Sequence, residues 1–212
     1  MKWEQFLDRF GDLPLIEPAV VYAGQTNTTS LQAQLSRWVG TGRLIKLARG
    51  KYILANPYRR IDPPVEYLAN KLVYPSYVSL ERLLSWHGLI PEAVPVVTSV
   101  TTGRPSTYDT ALGTFTYRHI ARRLFWGYES VTMHSTECAM ALPEKALLDL
   151  FHFWRGAVTR ARIEEMRFQN TDQLDAERLR AFAKRAGGRK LTRSIEQFLV
   201  YCAKGLERSD LT

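Results

Sequence analysis

The 212-residue chain is 45% hydrophobic, 11% aromatic and 24% charged, a balance that excludes a disordered or low-complexity protein. Its net charge of +8 favours a polyanionic partner. Two cysteines, Cys138 and Cys202, are too few for a disulfide scaffold, and both sit in apolar surroundings that suit buried, reduced thiols. No apolar run approaches the ~18 residues of a membrane helix. The opening MKWEQFLDRFG mixes charge with apolar residues, unlike a signal peptide, so a cytoplasmic protein with no membrane partner is expected.

The charge is unevenly placed. Pro18 to Ile61 holds no acidic residue but seven basic ones: Arg37, Arg43, Lys46, Arg49, Lys51, Arg59 and Arg60. Around this block the element signals are clear. Trp3, Phe6, Leu7 and Phe10 have helical spacing, ended by Gly11. Pro18 suits the first turn of a second helix to about Ala23. Gly24 to Asn27 reads as a turn, and Thr28, Thr29 and Ser30 offer hydroxyl caps for a third helix running to about Thr41. Leu31, Leu35, Trp38 and Val39 share one face of it. From Leu44 to Ala55, apolar and polar residues alternate on each side of Arg49-Gly50, the pattern of a β-hairpin.

Three helices and a hairpin within 1–56 match the plan of a winged helix-turn-helix. The third helix has an apolar face to anchor it and small residues outward, which let a backbone approach a major groove. The hairpin places cations where phosphates would lie. The expected contacts to double-stranded DNA are Thr28, Thr29, Ser30, Gln32, Ala33, Ser36 and Arg37 on the helix, with Arg43, Lys46, Arg49 and Lys51 on the wing.

The proline- and arginine-rich NPYRRIDPP reads as a linker, 57–64, before a second domain, 65–212. There the spacing predicts helices at Val65–Val73 and Leu80–His87, the latter capped by Ser79. Strands are expected over Pro95–Thr102, Gly113–Ile120, Tyr128–Met133 and Glu137–Ala141, with a loop over Gly103–Asp109. Pro143 opens a strong helix with Ala146, Leu147, Leu150, Phe151 and Trp154 on one face and Lys145, Asp149 and His152 on the other. Two amphipathic helices close the chain. The fold class is α+β: an N-terminal winged helix-turn-helix followed by a mixed α/β domain ending in helices.

Four stretches together resemble the AbiEi family of type IV toxin–antitoxin antitoxins. They are the wing GRLIKLARGKYIL (Gly42 to Leu54), LANKLVYPSYVSLERLLSWHGLIPE (Leu68 to Glu92), VTSVTTGRPSTYDTALGTFTYRHI (Val97 to Ile120) and ALPEKALLDLF (Ala141 to Phe151). Each stretch alone is common; their order and spacing carry the likeness. The resemblance implies a repressor that binds inverted repeats in its own promoter and counters a nucleotidyltransferase toxin in phage defence by abortive infection, with direct toxin contact left open. It also marks Tyr77, Ser79, His87, Glu144, Lys145 and Asp149 as residues of the antitoxin domain. Tyr77 and His87 have an alternative as core residues with satisfied polar tips.

Chemistry is represented only by fragments. Glu144, Lys145 and Asp149 combine groups that metal-dependent nucleases use, but Lys145 and Asp149 stand at i, i+4, where a surface ion pair worth about 0.2–0.5 kcal/mol is the plain expectation. His87, His119, His134 and His152 lack metal-ligand spacing, and Ser79 and Ser135 lack a nucleophile-elbow motif. No catalytic residue, metal or cofactor is expected. A stand-alone regulator with a ligand-sensing or oligomerising second domain, and a DNA-processing enzyme, are the competing readings.

Overall fold

The computed structural model describes residues 1–23 and 28–209, with the side chains of Thr28 and of 204–209 also outside the description. The turn expected at Gly24–Asn27 and the Thr28 hydroxyl cap fall outside it, as do residues 210–212. The chain is mixed α+β, with two sheets and, among the described residues, nine α-helices.

The N-terminal unit is built by aromatic spacing. Helix α1 (Trp3–Phe10) buries Trp3, Phe6 and Phe10, which recur on one helical face. α2 (Pro18–Tyr22) starts on its proline, and α3 (Thr28–Gly40) follows. The Trp38 ring of α3 lies 5.1 Å from Trp3 and 4.6 Å from Phe6, so an indole locks the first helix to the third. Strands β1 (Leu44–Ala48) and β2 (Lys51–Leu54) pair antiparallel, and Gly50 makes the turn at φ +72°. Ile16 and Tyr52 exchange backbone hydrogen bonds of 2.8 and 3.0 Å, which ties the α1–α2 connection to the hairpin.

The hairpin serves two cores. Leu44 and Leu54, opposite one another, face the aromatic cluster of the first unit, whereas Ile53 and Leu47 join Leu15 in the larger core of the second. Alternation along a strand makes this possible. Segment 57–64 is packed as well: Tyr58 meets Trp3 edge-on at 5.1 Å, Arg60 pairs with Asp12, and Pro63 and Pro64 are buried.

The second unit centres on a six-stranded mixed sheet. After α4 (Val65–Leu72) come β3 (Ser76–Val78), α5 (Leu80–Trp86), β4 (Val97–Thr101), β5 (Ser106–Thr110), β6 (Gly113–His119), β7 (Tyr128–Met133) and β8 (Thr136–Ala141), in the order β5-β6-β4-β3-β8-β7. Tyr77 is opposite Val100, while Val78 is opposite Ser99 and Ser99 is opposite Tyr117. Tyr77 and Tyr117 therefore face opposite sides. Tyr117 reaches the Ala69 carbonyl of α4 at 2.7 Å, and Tyr77 reaches the helices on the other face. Those helices are α5, α6 (Pro143–Phe153), α7 (Arg160–Glu165), α8 (Ala176–Ala186) and α9 (Arg189–Ser209).

Two local expectations are corrected, and two short elements are added. Ser106–Thr110 is a strand where a loop was expected; its polar residues alternate on a sheet edge, so composition reads as loop while pairing with β6 makes a strand. Ser76–Val78 and Arg160–Glu165 form short elements with no periodicity of their own to announce them. Cys138 is buried as expected, but Cys202 is only partly so; both are free thiols.

Candidate nucleic-acid interface and a buried ionic cluster

Helix α3 divides as its spacing requires. Leu31, Leu35 and Trp38 are buried, while Thr29, Ser30, Gln32, Ala33, Ser36, Arg37 and Gly40 are exposed on the other side. Lys46 and Arg49 are exposed on the hairpin beside it.

Folding sorts the seven cations of the basic block. Lys51 pairs with Glu17, Arg59 with Asp62 at 3.0 Å and Arg60 with Asp12 at 3.3 Å. Arg43 lies 5.2 Å over the Trp3 ring, with its stem half-buried. Of these seven, only Arg37, Lys46 and Arg49 have neither a carboxylate nor an aromatic partner among the described residues. The block is one-signed in sequence, yet acids just outside it, at 12, 17 and 62, return to neutralise nearly half of it.

The second cluster is buried. Asp149 Oδ1 accepts from the Lys145 ammonium. Its Oδ2 accepts from Tyr77 Oη and from Ser79 Oγ, both at 2.9 Å. Lys145 Nζ also donates to Tyr77 Oη at 2.9 Å. Lys145 and Asp149 are each 1% exposed, which corrects the expected surface pair: an i, i+4 spacing is the same whether its helix face meets water or another layer. Ser79 stands at the start of α5 but does not cap it with its side chain; the hydroxyl is turned to Asp149.

Local backbone geometry sets this up. Ser79 N–H donates to the Thr98 carbonyl at 3.1 Å, and the Thr98 hydroxyl donates back to the Ser79 carbonyl at 2.8 Å. The next residue, Leu80, is held at φ +61°, a left-handed conformation that strains a bulky side chain by about 1–3 kcal/mol. That turn sends the chain from β3 into α5 with Ser79 pointing at α6. The Lys145 stem lies against Gly127, where a Cβ would come within 3.1 Å of its Cγ and Cδ. The ammonium sits 5.3 Å from the Trp126 ring centre.

Burial pulls the Lys145 pKa down and pushes that of Asp149 up, while their mutual attraction opposes both shifts. Burial and the Asp149 charge hold the Tyr77 phenol far above its ordinary range, so it acts as a neutral donor. Glu144, also buried, turns away from this group. Its carboxylate accepts from the Asp175 N–H at 3.0 Å and from Arg178 at 3.5 Å, holding the start of α8. His87 lies elsewhere, half-buried and edge-on to Trp86 at 4.8 Å, with its pKa lowered by burial.

The structure thus joins Tyr77, Ser79, Lys145 and Asp149 and leaves out His87. Every member is sealed from solvent and every Asp149 oxygen is engaged, so the arrangement stitches β3 and α5 to α6 and presents no open face to a substrate. Among the described residues, no group of three or more His, Cys, Asp or Glu is placed to hold a metal ion, and no helix is long and apolar enough to cross a membrane.

Two participants were missed in the sequence, Trp126 and Gly127, which enclose Lys145, and so was Asn70, which joins β3 to β8 outside the cluster. The Asn70 side chain accepts from the Ala139 N–H at 2.7 Å and donates to the Ser76 and Ala139 carbonyls, each at 3.3 Å. An asparagine on the apolar face of a helix was the one available signal for it. Compared with models of known protein families and with curated proteins, the chain finds no match.

Proposed function

We propose that residues 1–56 act as a winged helix-turn-helix that binds double-stranded DNA in the cytoplasm. The observation that carries this reading is the pairing of an exposed small-residue face on α3 with three cations, Arg37, Lys46 and Arg49, that no carboxylate among the described residues neutralises. Arg37 is the residue that reads a base edge. Lys46 and Arg49 contact phosphates from the hairpin. Lys51, tied to Glu17, supports the hairpin more than it contacts DNA. Promoter DNA with inverted repeats is the expected target, and electrophoretic shift with the chain's own upstream region is the test. An unchanged shift in an Arg37→Ala/Lys46→Ala/Arg49→Ala variant removes the reading.

We further propose that the chain is an antitoxin of the AbiEi type, repressing its own operon and countering a nucleotidyltransferase toxin. This rests on the resemblance across Gly42–Phe151. Much of that likeness falls on residues of the buried network, Tyr77, Ser79, Lys145 and Asp149, which supports a shared scaffold more directly than a toxin contact. Rescue of growth on co-expression with a neighbouring toxin gene tests it; failure to rescue removes the antitoxin half alone. A stand-alone regulator is the second reading. A cavity of about 350 Å³, lined by Glu17 and Lys51 on one side and Lys71, Tyr74 and Glu137 on the other, is where a ligand would meet both units; a deep apolar pocket in the second unit would favour this reading more directly.

A further inference from the structure

The second unit holds a cationic cavity that the DNA-binding reading does not use. It has a volume of about 610 Å³ and lies between the loop that precedes α7 and the start of α9. Arg160, Arg189, Lys190 and Arg193 line it, and no acidic residue does among the described residues. Its volume falls within the about 300–1,000 Å³ of small-ligand sites.

The four cations are held differently. Arg160 pairs with Glu164 at 2.7 Å. Lys190 donates to the carbonyls of His152, at 3.2 Å, and Trp154, which fixes its position without cancelling its charge. Burial and then the nearby Arg162 charge lower the Lys190 pKa, a sign that cations crowd here. Arg189 and Arg193, one helical turn apart and exposed, meet no carboxylate among the described residues. The nearest acid along the helix, Glu196, is held by Arg180 at 3.1 Å. The first turn of α9 contains no acidic residue. Like charges at i, i+4 destabilise a helix, so this grouping works against the fold unless an anion occupies it.

We propose that this cavity binds a phosphate group, with the Arg189 and Arg193 guanidinium forks as its main ligands and Lys190 as a fixed point charge. Planar forks match phosphate oxygens in pairs. The phosphate comes either from a nucleic-acid strand or from a free phosphate compound. The site shares no residue with the α3–hairpin surface, so the two readings fail separately.

The test uses the full chain and an Arg189→Ala/Arg193→Ala variant, with Arg104→Ala/Arg122→Ala as a control that loses the same charge from exposed positions. Thermal unfolding checks that both variants fold. Calorimetric titration with pyrophosphate probes the free source. Fluorescence anisotropy of a promoter duplex across a salt series probes the strand. The expected result is about a tenfold loss of pyrophosphate affinity, or a flattening of the duplex salt slope by about two units, in the α9 variant alone. Loss for pyrophosphate only assigns a free ligand, and loss for the duplex only assigns a strand. Binding of both probes as in the unaltered protein overturns the proposal, as does an equal loss in the control. An Arg37→Ala variant measured alongside reports on the α3 surface independently.

Discussion

Charge is handled in opposite ways in two regions of this chain. On α3 and the hairpin, Arg37, Lys46 and Arg49 are exposed and unpaired by any carboxylate among the described residues. Under the sheet, Lys145 and Asp149 are buried, paired and hydrogen-bonded to Tyr77 and Ser79. The first arrangement does little for stability and leaves charge available to a partner. The second leaves nothing available and makes stability depend on every member. A charged residue in a sequence motif is therefore not, by its type, a sign of a site; its partners decide.

The largest expected effect follows from the buried pair. Asp149→Ala strands an ammonium in an apolar layer, and removal of one partner from such a pair costs about 3–5 kcal/mol. Urea denaturation should show that loss. Replacing both residues, as in Lys145→Met/Asp149→Leu, should cost much less than the two single changes together, because no lone charge remains. Additive single losses would break the comparison by showing that the two act independently.

On the exposed α3–hairpin surface the effect falls on binding. Arg37→Ala should leave stability within about 0.5 kcal/mol and reduce discrimination between operator and unrelated DNA by about 1–3 kcal/mol, if Arg37 reads a base. Competitive anisotropy measures this. Stability loss without binding loss would move Arg37 into the structural class.

A smaller effect separates neighbouring lysines. Lys46→Ala should flatten the salt slope of DNA binding by about one unit, and Lys51→Ala by less, since Glu17 already holds the Lys51 ammonium. Equal slopes for the two would show that the Glu17 pair opens on DNA.

The smallest concerns pH. Burial lowers the pKa of His87 and His152 in the folded protein. The unfolded chain, with histidine near about 6.5, then binds more protons than the folded one just below that pH. Their contribution to stability is complete above about 6.5 and is lost as pH falls toward the lowered folded values. Thermal melts of the unaltered chain against His87→Gln/His152→Gln should show this slope diminished in the variant.

Much of the fold was legible where periodicity is long. The α1 aromatic face, the hairpin turning at Gly50 and the α6 helix starting at Pro143 all follow from local spacing. Ser76–Val78 was not legible: three residues buried throughout carry no alternation. The outward face of α3 was readable from its small residues, but the pairing of Lys51 with Glu17 needed the fold, because 34 residues separate them. The burial of Lys145 and Asp149 was hidden for the same reason. Tyr77 and Ser79 lie 72 and 70 residues from Asp149, and only the sheet brings them together.

The most direct test of the central claim is a salt-series titration of the promoter duplex with the unaltered chain and with Arg37→Ala/Lys46→Ala/Arg49→Ala. The account predicts that the triple variant unfolds at the same urea concentration yet binds far more weakly, with a salt slope flatter by about two to three units. Equal affinity and equal slope for the two proteins would contradict it.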